Sequence, residues 1–331
     1  MKRLFYRLVL AAVIFTVAAA GALAWWAQRP LTLPASPIEV IIKPNSGVAS
    51  VGRQLQRGGI AIDPRLFVLL VRLTGHGGDL KAGGYQFETG ATPMTVVGKI
   101  ARGEVNHHVL TIIEGWEFKR MREAIDAHAA LRHDTKDMSE AELMKAIGAA
   151  ESAPEGLFFP DTYLFARGSS DIDLYKHAYR RMQRRLTEAW NARGPDLPYK
   201  TPYEALIMAS IIEKETGQAA ERPMIASVFV NRLRKNMMLQ TDPTVIYGLG
   251  KTFDGDLRKR DLLADTPYNT YTRAGLPPTP ISLPGLASLS AATLPAASDA
   301  LYFVARGDGS SHFSNSLPEH NRAVDQYQRR K

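Results

Sequence analysis

The 331-residue chain contains no cysteine, which excludes disulfide frameworks, cysteine nucleophiles and cysteine-ligated zinc or iron–sulfur sites. It also lacks the phosphate-loop motif Gly-x-x-x-x-Gly-Lys-Ser/Thr and the Gly-x-Ser-x-Gly motif of many serine hydrolases. The histidines do not have metal-ligand spacing, and no glutamate stands at the twelfth position of a calcium loop that would begin at Asp254. We therefore expect no metal and no cofactor.

The charge of the chain is unbalanced, with 41 basic against 33 acidic residues and a formal net charge of +8. This excess suits an anionic partner such as a nucleic acid, a lipid surface or an acidic polymer. The length predicts two folded units, since a domain commonly has about 100–200 residues.

The N-terminus carries a long apolar segment. Residues 8–27 contain no charge, and as a helix they would be about 30 Å long, which is one bilayer core. Lys2, Arg3 and Arg7 precede this segment, so the positive-inside rule keeps the tail in the cytoplasm and exports the rest. A cleaved signal peptide is the alternative, because Ala22-Leu23-Ala24 resembles a cleavage site. Both interpretations export the protein, which argues against nucleic acid and favours an extracytoplasmic polymer as its partner.

Apolar periodicity and turn residues predict an α+β fold. We expect a tail and anchor over 1–28, a proline-rich tether over 29–37, a small α+β subdomain over 38–105 and a larger mixed α+β domain over 106–331. The predicted strands are 38–42, 85–87 and 107–113. The predicted helices before residue 200 are 48–57, 65–73, 92–102, 118–130, 140–150 and 174–193.

A further helix begins at Thr201, which forms a capping box with Glu204, and we expect it to stop at Gly217. Apolar side chains cover most of its circumference, which is typical of a buried helix. Glu213 lies close to its apolar stripe. Burial would raise the pKa of this carboxyl and leave it able to donate a proton near neutral pH, as a general acid must.

Helix geometry alone does not choose between Glu213 and Glu215, which project about 160° apart. Both glutamates lie in the last turn, where they could instead be solvated or paired with Lys214 and nearby arginines.

After a helix predicted over 221–235, polar and aromatic residues stand among prolines and glycines at 239–248, 268–271 and 275–281. Such a composition predicts shaped loops, whose amides, hydroxyls and rings suit carbohydrate. Each candidate contact residue could instead hold the loop shape, and Asp242 could be a second carboxylate or a turn residue. The candidates are Gln240, Asp242, Thr244, Tyr247, Tyr268, Asn269 and Tyr271.

Several ordered blocks resemble the YceG-like family over essentially the whole chain. These blocks are Phe159-Pro160-Asp161-Thr162-Tyr163, the run from Ala209 to Thr216, residues 239–247, Tyr268-Asn269-Thr270-Tyr271, Gly275-Leu276-Pro277-Pro278, Tyr302-Phe303-Val304-Ala305 and His312-Phe313. The resemblance implies that the first acidic residue of Glu213-Lys214-Glu215-Thr216 is catalytic. It also implies a LysM-like subdomain over 38–105, which would contact glycan or only position the catalytic domain.

The resemblance implies a lytic transglycosylase in the inner membrane with its catalytic domain in the periplasm. It would cut within nascent peptidoglycan strands, and thereby end their elongation. Glu213 would protonate the oxygen between N-acetylmuramic acid and N-acetylglucosamine, and the C6 hydroxyl would then close a 1,6-anhydro ring. The implied partners are glycan strands, the inner membrane and a peptidoglycan synthase. Two rivals remain: a hydrolase using Glu213, Asp242 and water, and a non-catalytic wall-binding tether.

Overall fold

The computed structural model describes residues 2–328, so the outermost ends of the predicted first and last segments, Met1 and residues 329–331, lie outside the described residues. The chain divides into two compact units. The first unit runs to Val109 and adds Ala129–Arg132 and Leu164–Ser169. The second unit comprises Leu110–His128, His133–Tyr163 and the chain from Ser170 onward.

The N-terminal helix α1 spans Lys2–Gln28, and it is long and apolar enough to cross a membrane. Its apolar stretch is exposed, whereas its last turn packs into the first unit, where Ala27 is buried and Trp26 lies against the core. The segment after α1 also contacts the first unit. Leu31 packs against the core and its backbone N–H donates to the carbonyl of Ala91 at 2.8 Å.

The first unit has the predicted order of strand, two helices and strand. Its elements are β1 (Ile38–Ile42), α2 (Val48–Arg57), α3 (Pro64–Leu73), β2 (Gly83–Phe87) and α4 (Pro93–Arg102). Strands β1 and β2 pair antiparallel with Val40 opposite Tyr85, and both side chains are buried. Thr92 caps α4 as predicted, since its hydroxyl accepts a hydrogen bond from the N–H of Thr95.

The remaining elements confirm a mixed α+β fold. They are β3 (His107–Thr111), α5 (Phe118–Asp126), α6 (Glu140–Ile147), β4 (Thr162–Ala166), α7 (Asp171–Asn191), α8 (Pro202–Glu215), α9 (Arg222–Arg234), α10 (Asp242–Leu249), α11 (Lys259–Leu263), α12 (Leu286–Thr293), β5 (Tyr302–Ala305), β6 (Ser311–Ser314) and α13 (Leu317–Tyr327). Strand β3 pairs with β4, and β5 pairs antiparallel with β6.

Two predicted helices end at least three residues early in the structure. Helix α5 ends at Asp126, four residues before the predicted end. Helix α6 ends at Ile147 because Gly148 takes a left-handed conformation with φ +78°. Shaped loops were predicted over 239–248, and there the structure also contains helix α10, because Pro243 occupies its first turn.

Helix α8 is the core of the second unit, where it packs against α7, α9 and α12. Every residue from 205 to 212 is buried, as the apolar sequence predicts. The Thr201 hydroxyl accepts a hydrogen bond from the N–H of Glu204 at 3.2 Å, which confirms the predicted capping box. The helix ends at Glu215, so Glu213 and Glu215 both lie in its last turn.

Candidate active site

Glu213 forms a buried ion pair with Arg222 of helix α9. Its side chain is only 4% exposed, and its Oε1 lies 2.8 Å from Arg222 Nη2. Its Oε2 accepts a hydrogen bond of 2.9 Å from the N–H of Gly285. The structure therefore confirms the predicted burial of the Glu213 side chain. Both of its carboxylate oxygens accept hydrogen bonds from protein groups.

Glu215 lies in different surroundings. Its Oε1 accepts a hydrogen bond from the hydroxyl of Thr241, the residue that precedes α10. Burial raises the pKa of Glu215 to about 7, and the charge of Asp242 raises it further, whereas the Thr241 hydrogen bond and the charge of Arg232 lower it. Near neutral pH, the protonated and the ionised forms of Glu215 are therefore present in comparable amounts.

A groove of about 370 Å³ opens beside Glu215, and we call it the Glu215 groove. Polar and aromatic side chains dominate its lining. They include Glu215, Arg232, Gln240, Asp242, Tyr271, Tyr302, Phe303 and His320. Three of the seven predicted contact residues, namely Gln240, Asp242 and Tyr271, thus lie with Glu215, and Glu213 is not part of this lining.

The wall of the Glu215 groove is held by Arg232, which is buried and has polar partners on several segments. Its guanidinium donates to the carbonyls of Leu301 at 2.7 Å and Leu239 at 2.9 Å. It also donates to Gln240 Oε1 at 3.3 Å. Within the same lining, the Tyr271 hydroxyl donates to Asp242 Oδ1 at 2.5 Å. These bonds give the groove a defined shape before any ligand binds.

Known proteins resemble the chain over most of its length. A sequence profile of the YceG-like family matches residues 40–326. The chain belongs to the YceG-like family.

Two curated relatives of this YceG-like chain carry the name endolytic murein transglycosylase. The Bacillus subtilis protein (strain 168) is 31% identical over 307 residues, which cover 88% of this chain and 84% of that protein. The Streptococcus pneumoniae protein (serotype 2, strain D39) is 26% identical over 324 residues, covering 88% of this chain and 58% of that protein. A 2.6 Å crystal structure of a YceG-like protein from Listeria monocytogenes matches with a TM-score of 0.54 and 30% identity, covering 87% and 99% of the two chains.

Two predicted contact residues of this YceG-like chain are buried instead, Thr244 in helix α10 and Asn269 in a loop. Thr244 donates to the carbonyl of Thr241 at 2.8 Å. The amide of Asn269 donates to the carbonyls of Asp261, Leu262 and Ala264, and its oxygen accepts the N–H of Tyr271. Both side chains are 0% exposed, so their contacts support the role of holding loop shape.

The two other predicted contacts, Tyr247 and Tyr268, form a separate partly buried pair. Their ring centroids lie 4.9 Å apart in a T-shaped arrangement. Tyr247 donates to Glu155 Oε2 at 3.2 Å, and Tyr268 shares a hydrogen bond of 2.8 Å with Thr279. Burial raises the pKa of Glu155 to about 8, so this carboxyl is largely protonated at neutral pH. Neither tyrosine lines the Glu215 groove.

Sequence reasoning missed the two arginines that organise this region of the YceG-like chain. Arg222, Ile225, Phe229 and Arg232 follow one face of helix α9 and all are buried. A basic residue on an apolar helical stripe signals a buried partner. Sequence reasoning also missed Glu114, whose Oε2 lies 4.0 Å from Arg222 Nη2. Partial burial and the charge of Glu213 raise the pKa of Glu114.

Proposed function

We propose that this chain is an endolytic peptidoglycan lytic transglycosylase. It cuts nascent strands between N-acetylmuramic acid and N-acetylglucosamine, and so ends their elongation. The names of the two curated relatives support this activity. The observation that carries the proposal is a carboxyl with a pKa of about 7 at the edge of a groove lined by polar and aromatic side chains.

Glu215 is the proton donor that the contacts favour. The catalytic role predicted for Glu213 stays a prediction, but both oxygens of Glu213 accept hydrogen bonds from Arg222 and Gly285. Among the described residues, only Thr241 donates a hydrogen bond to Glu215. Glu215 also shares its groove with Gln240 and Asp242. A proton donor must reach the substrate, and Glu215 lines the space that a sugar could enter.

The chemistry needs one carboxyl that acts twice. Protonated Glu215 transfers its proton to the glycosidic oxygen, the bond from that oxygen to C1 of N-acetylmuramic acid breaks, and positive charge develops at C1. The resulting carboxylate then takes the proton of the C6 hydroxyl of the same sugar, whose oxygen bonds to C1. The product is a 1,6-anhydro end, and Glu215 is protonated again. Because an internal hydroxyl replaces water, the second carboxylate that most glycosidases use is not required.

A hydrolase is the rival activity, although the names of the curated relatives do not favour it. Asp242 lines the same groove as Glu215, so the site holds two carboxyl groups. Glycosidases that use water work with such a pair, separated by about 5–9.5 Å. In that case Glu215 would be the acid, and Asp242 would activate water or act as the nucleophile.

The residues that line the Glu215 groove are the proposed substrate contacts. We assign Gln240, Asp242 and Tyr271 to sugar binding, since their amide, carboxylate and phenol groups can bond hydroxyls and acetamido groups. Tyr247 and Tyr268 are assigned to a neighbouring part of the binding surface. Thr244 and Asn269 are assigned to the support of the loops.

We propose that helix α1 anchors the protein in the membrane and that the first unit supports its activity at the cell wall. The antiparallel pair β1–β2 with α2 and α3 suits a LysM-like subdomain over 38–105 that contacts glycan. Lys2, Arg3 and Arg7 before the apolar segment support a cytoplasmic tail and a periplasmic catalytic domain over 106–331. A peptidoglycan synthase is the proposed protein partner, because strand release follows strand synthesis.

The test is to incubate the full-length protein in detergent with purified peptidoglycan and to measure fragment masses. A lytic transglycosylase gives 1,6-anhydro ends without added water. Products heavier by one water per cut, with reducing ends, would exclude it in favour of the hydrolase. Peptidoglycan that stays intact would exclude both enzymes and leave the binding tether.

A further inference from the structure

Three side chains that could ligate a metal lie together in the second unit, and none of them lines the Glu215 groove. Asp126 is the last residue of α5, His133 lies in the following loop, and Asp171 begins α7. One ligand atom from each lies within 4.8 Å of the others. Two ligands of one zinc ion lie at most about 4.4 Å apart, given bonds of about 2.0–2.2 Å, so a small side-chain adjustment would let all three bind one ion.

Two of these ligand groups have a buried atom without a hydrogen-bond partner. Asp126 Oδ1 and His133 Nδ1 are both inaccessible to solvent and unpaired. Buried polar atoms are normally satisfied, and an exception calls for an unseen water or ion. Here an oxygen and an imidazole nitrogen are unpaired in the same cluster, and both can donate a lone pair to a cation.

Tyr175 supplies a separate observation at the same place. It lies one helical turn after Asp171 on α7, its side chain is 0% exposed, and its hydroxyl also has no hydrogen-bond partner. Burial raises the pKa of this hydroxyl, and the charges of Asp126 and Asp171 raise it further. The unpartnered hydroxyl oxygen is available to a cation or to a water bound by one.

The charge of the cluster suits a cation. The cluster has two carboxylates, Asp126 and Asp171. One guanidinium offsets one of these negative charges, since Arg122 Nε lies 3.9 Å from Asp126 Oδ2. Arg122 also donates to the carbonyls of Thr135 at 3.1 Å and Met138 at 2.5 Å, which hold it in place. With a neutral imidazole, one negative charge is left.

Asp171 is already oriented as a ligand would be. Its Oδ1 accepts the N–H of Asp134 at 3.0 Å, and its Oδ2 accepts the N–H and the hydroxyl of Thr135. A carboxylate oxygen has two lone pairs, so Oδ1 retains one. Hydrogen bonds of this kind fix metal ligands in orientation.

We propose that Asp126, His133 and Asp171 bind one divalent transition-metal ion, for which Zn²⁺ is the fitting probe. Imidazole with carboxylates suits zinc better than magnesium or calcium, which prefer oxygen ligands alone. The ion would tie the end of α5 and the loop at His133 to the start of α7, and so stabilise the second unit. We expected no metal from the absent cysteines and the histidine spacing, and that expectation did not consider these three ligands, which are spread from position 126 to position 171.

The test uses the full-length protein in detergent, stripped of metal with a chelator and titrated calorimetrically with Zn²⁺. We expect one ion per chain and a rise in the unfolding temperature on binding. Asp126→Asn and His133→Gln should each weaken Zn²⁺ binding at least tenfold. The matched control is His107→Gln, which removes an exposed histidine outside the cluster and should leave Zn²⁺ binding unchanged.

Three results would overturn the proposal. Absence of Zn²⁺ binding would mean that a buried water satisfies the three unpaired atoms. Binding that persists in both cluster variants, or that disappears in His107→Gln, would place the ion elsewhere. If the variants do not fold, the Co²⁺-loaded wild-type protein decides, because a site with these ligands gives visible d–d absorption that Zn²⁺ abolishes by competition. Absence of that absorption would also reject the site.

Discussion

Glu213 and Glu215 are two residues apart on the last turn of one helix, yet Glu213 pairs with Arg222 and Glu215 accepts a hydrogen bond from Thr241. The first contact is a buried ion pair, and the second is a single hydroxyl at the edge of a groove. The difference assigns distinct roles to two chemically identical side chains. In our proposal Glu213 anchors the end of α8, and Glu215 donates the proton to a substrate in the groove that it lines.

The anchoring role predicts a large loss of stability when Arg222 is removed. In Arg222→Met the Glu213 carboxylate stays buried without its cation, which should lower the free energy of unfolding by roughly 3–5 kcal/mol. Urea denaturation of the full-length protein measures this. In the matched control, Arg273→Ala removes an exposed partner of Asp265 and should change stability little. Equal stability of the two variants would show that the buried pair does not anchor the helix.

The pKa of Glu215 predicts how activity depends on pH. The acid form donates the proton, so the rate of strand cleavage should fall as pH rises through about 7. Because the folded-state pKa is raised from the usual 4.5, the related stability is fully present below about 4.5 and is lost as pH rises through about 7. Initial rates between about pH 5 and pH 9 measure the first effect. A rate that climbs across this whole range would contradict the assignment.

Thr241 should tune that pH profile. Its hydrogen bond lowers the pKa of Glu215, so Thr241→Val should move the alkaline midpoint of cleavage upward. Thr244→Val is the matched control, because Thr244 bonds to the backbone of Thr241 and not to the glutamate. The control should lose stability while its midpoint stays at the wild-type value. If both variants shift the midpoint equally, the effect comes from the loop and not from the hydrogen bond.

The loop contacts predict opposite outcomes for two neighbouring residues. Asn269→Ala leaves buried carbonyls without a donor and should cost roughly 1–3 kcal/mol of stability. Tyr271→Phe removes a hydroxyl that bonds Asp242 in the groove, so it should reduce cleavage with little loss of stability. Thermal unfolding and muropeptide release, measured on both variants, separate the two effects. Normal stability of Asn269→Ala would instead return this residue to the set of sugar contacts.

Local patterns predicted much of the fold. The capping box at Thr201 and the apolar circumference of α8 were confirmed because they depend on residues close in sequence. Helix α10 was missed because Asp242-Pro243 is common in turns, although the same proline fits a first helical turn.

The site was harder to predict because its partners are remote in sequence. Whether Glu213 or Glu215 faces the groove depends on Arg222, Gly285 and Thr241, and no spacing within α8 encodes those contacts. The burial of Asn269 likewise depends on three carbonyls supplied by the end of helix α11 and the residue after it. The sequence therefore predicted that the groove would contain polar and aromatic residues, but only three of the seven predicted contact residues line it.

The most direct test compares Glu215→Gln with Glu213→Gln for release of 1,6-anhydro fragments from peptidoglycan, with circular dichroism to verify that both variants are folded. Loss of a general acid costs about 100-fold or more, so Glu215→Gln should fall at least that far. The folded fraction of Glu213→Gln should keep most of the wild-type activity. A folded Glu215→Gln variant that still cleaves, beside a folded and inactive Glu213→Gln variant, would contradict the account and make Glu213 the catalytic acid.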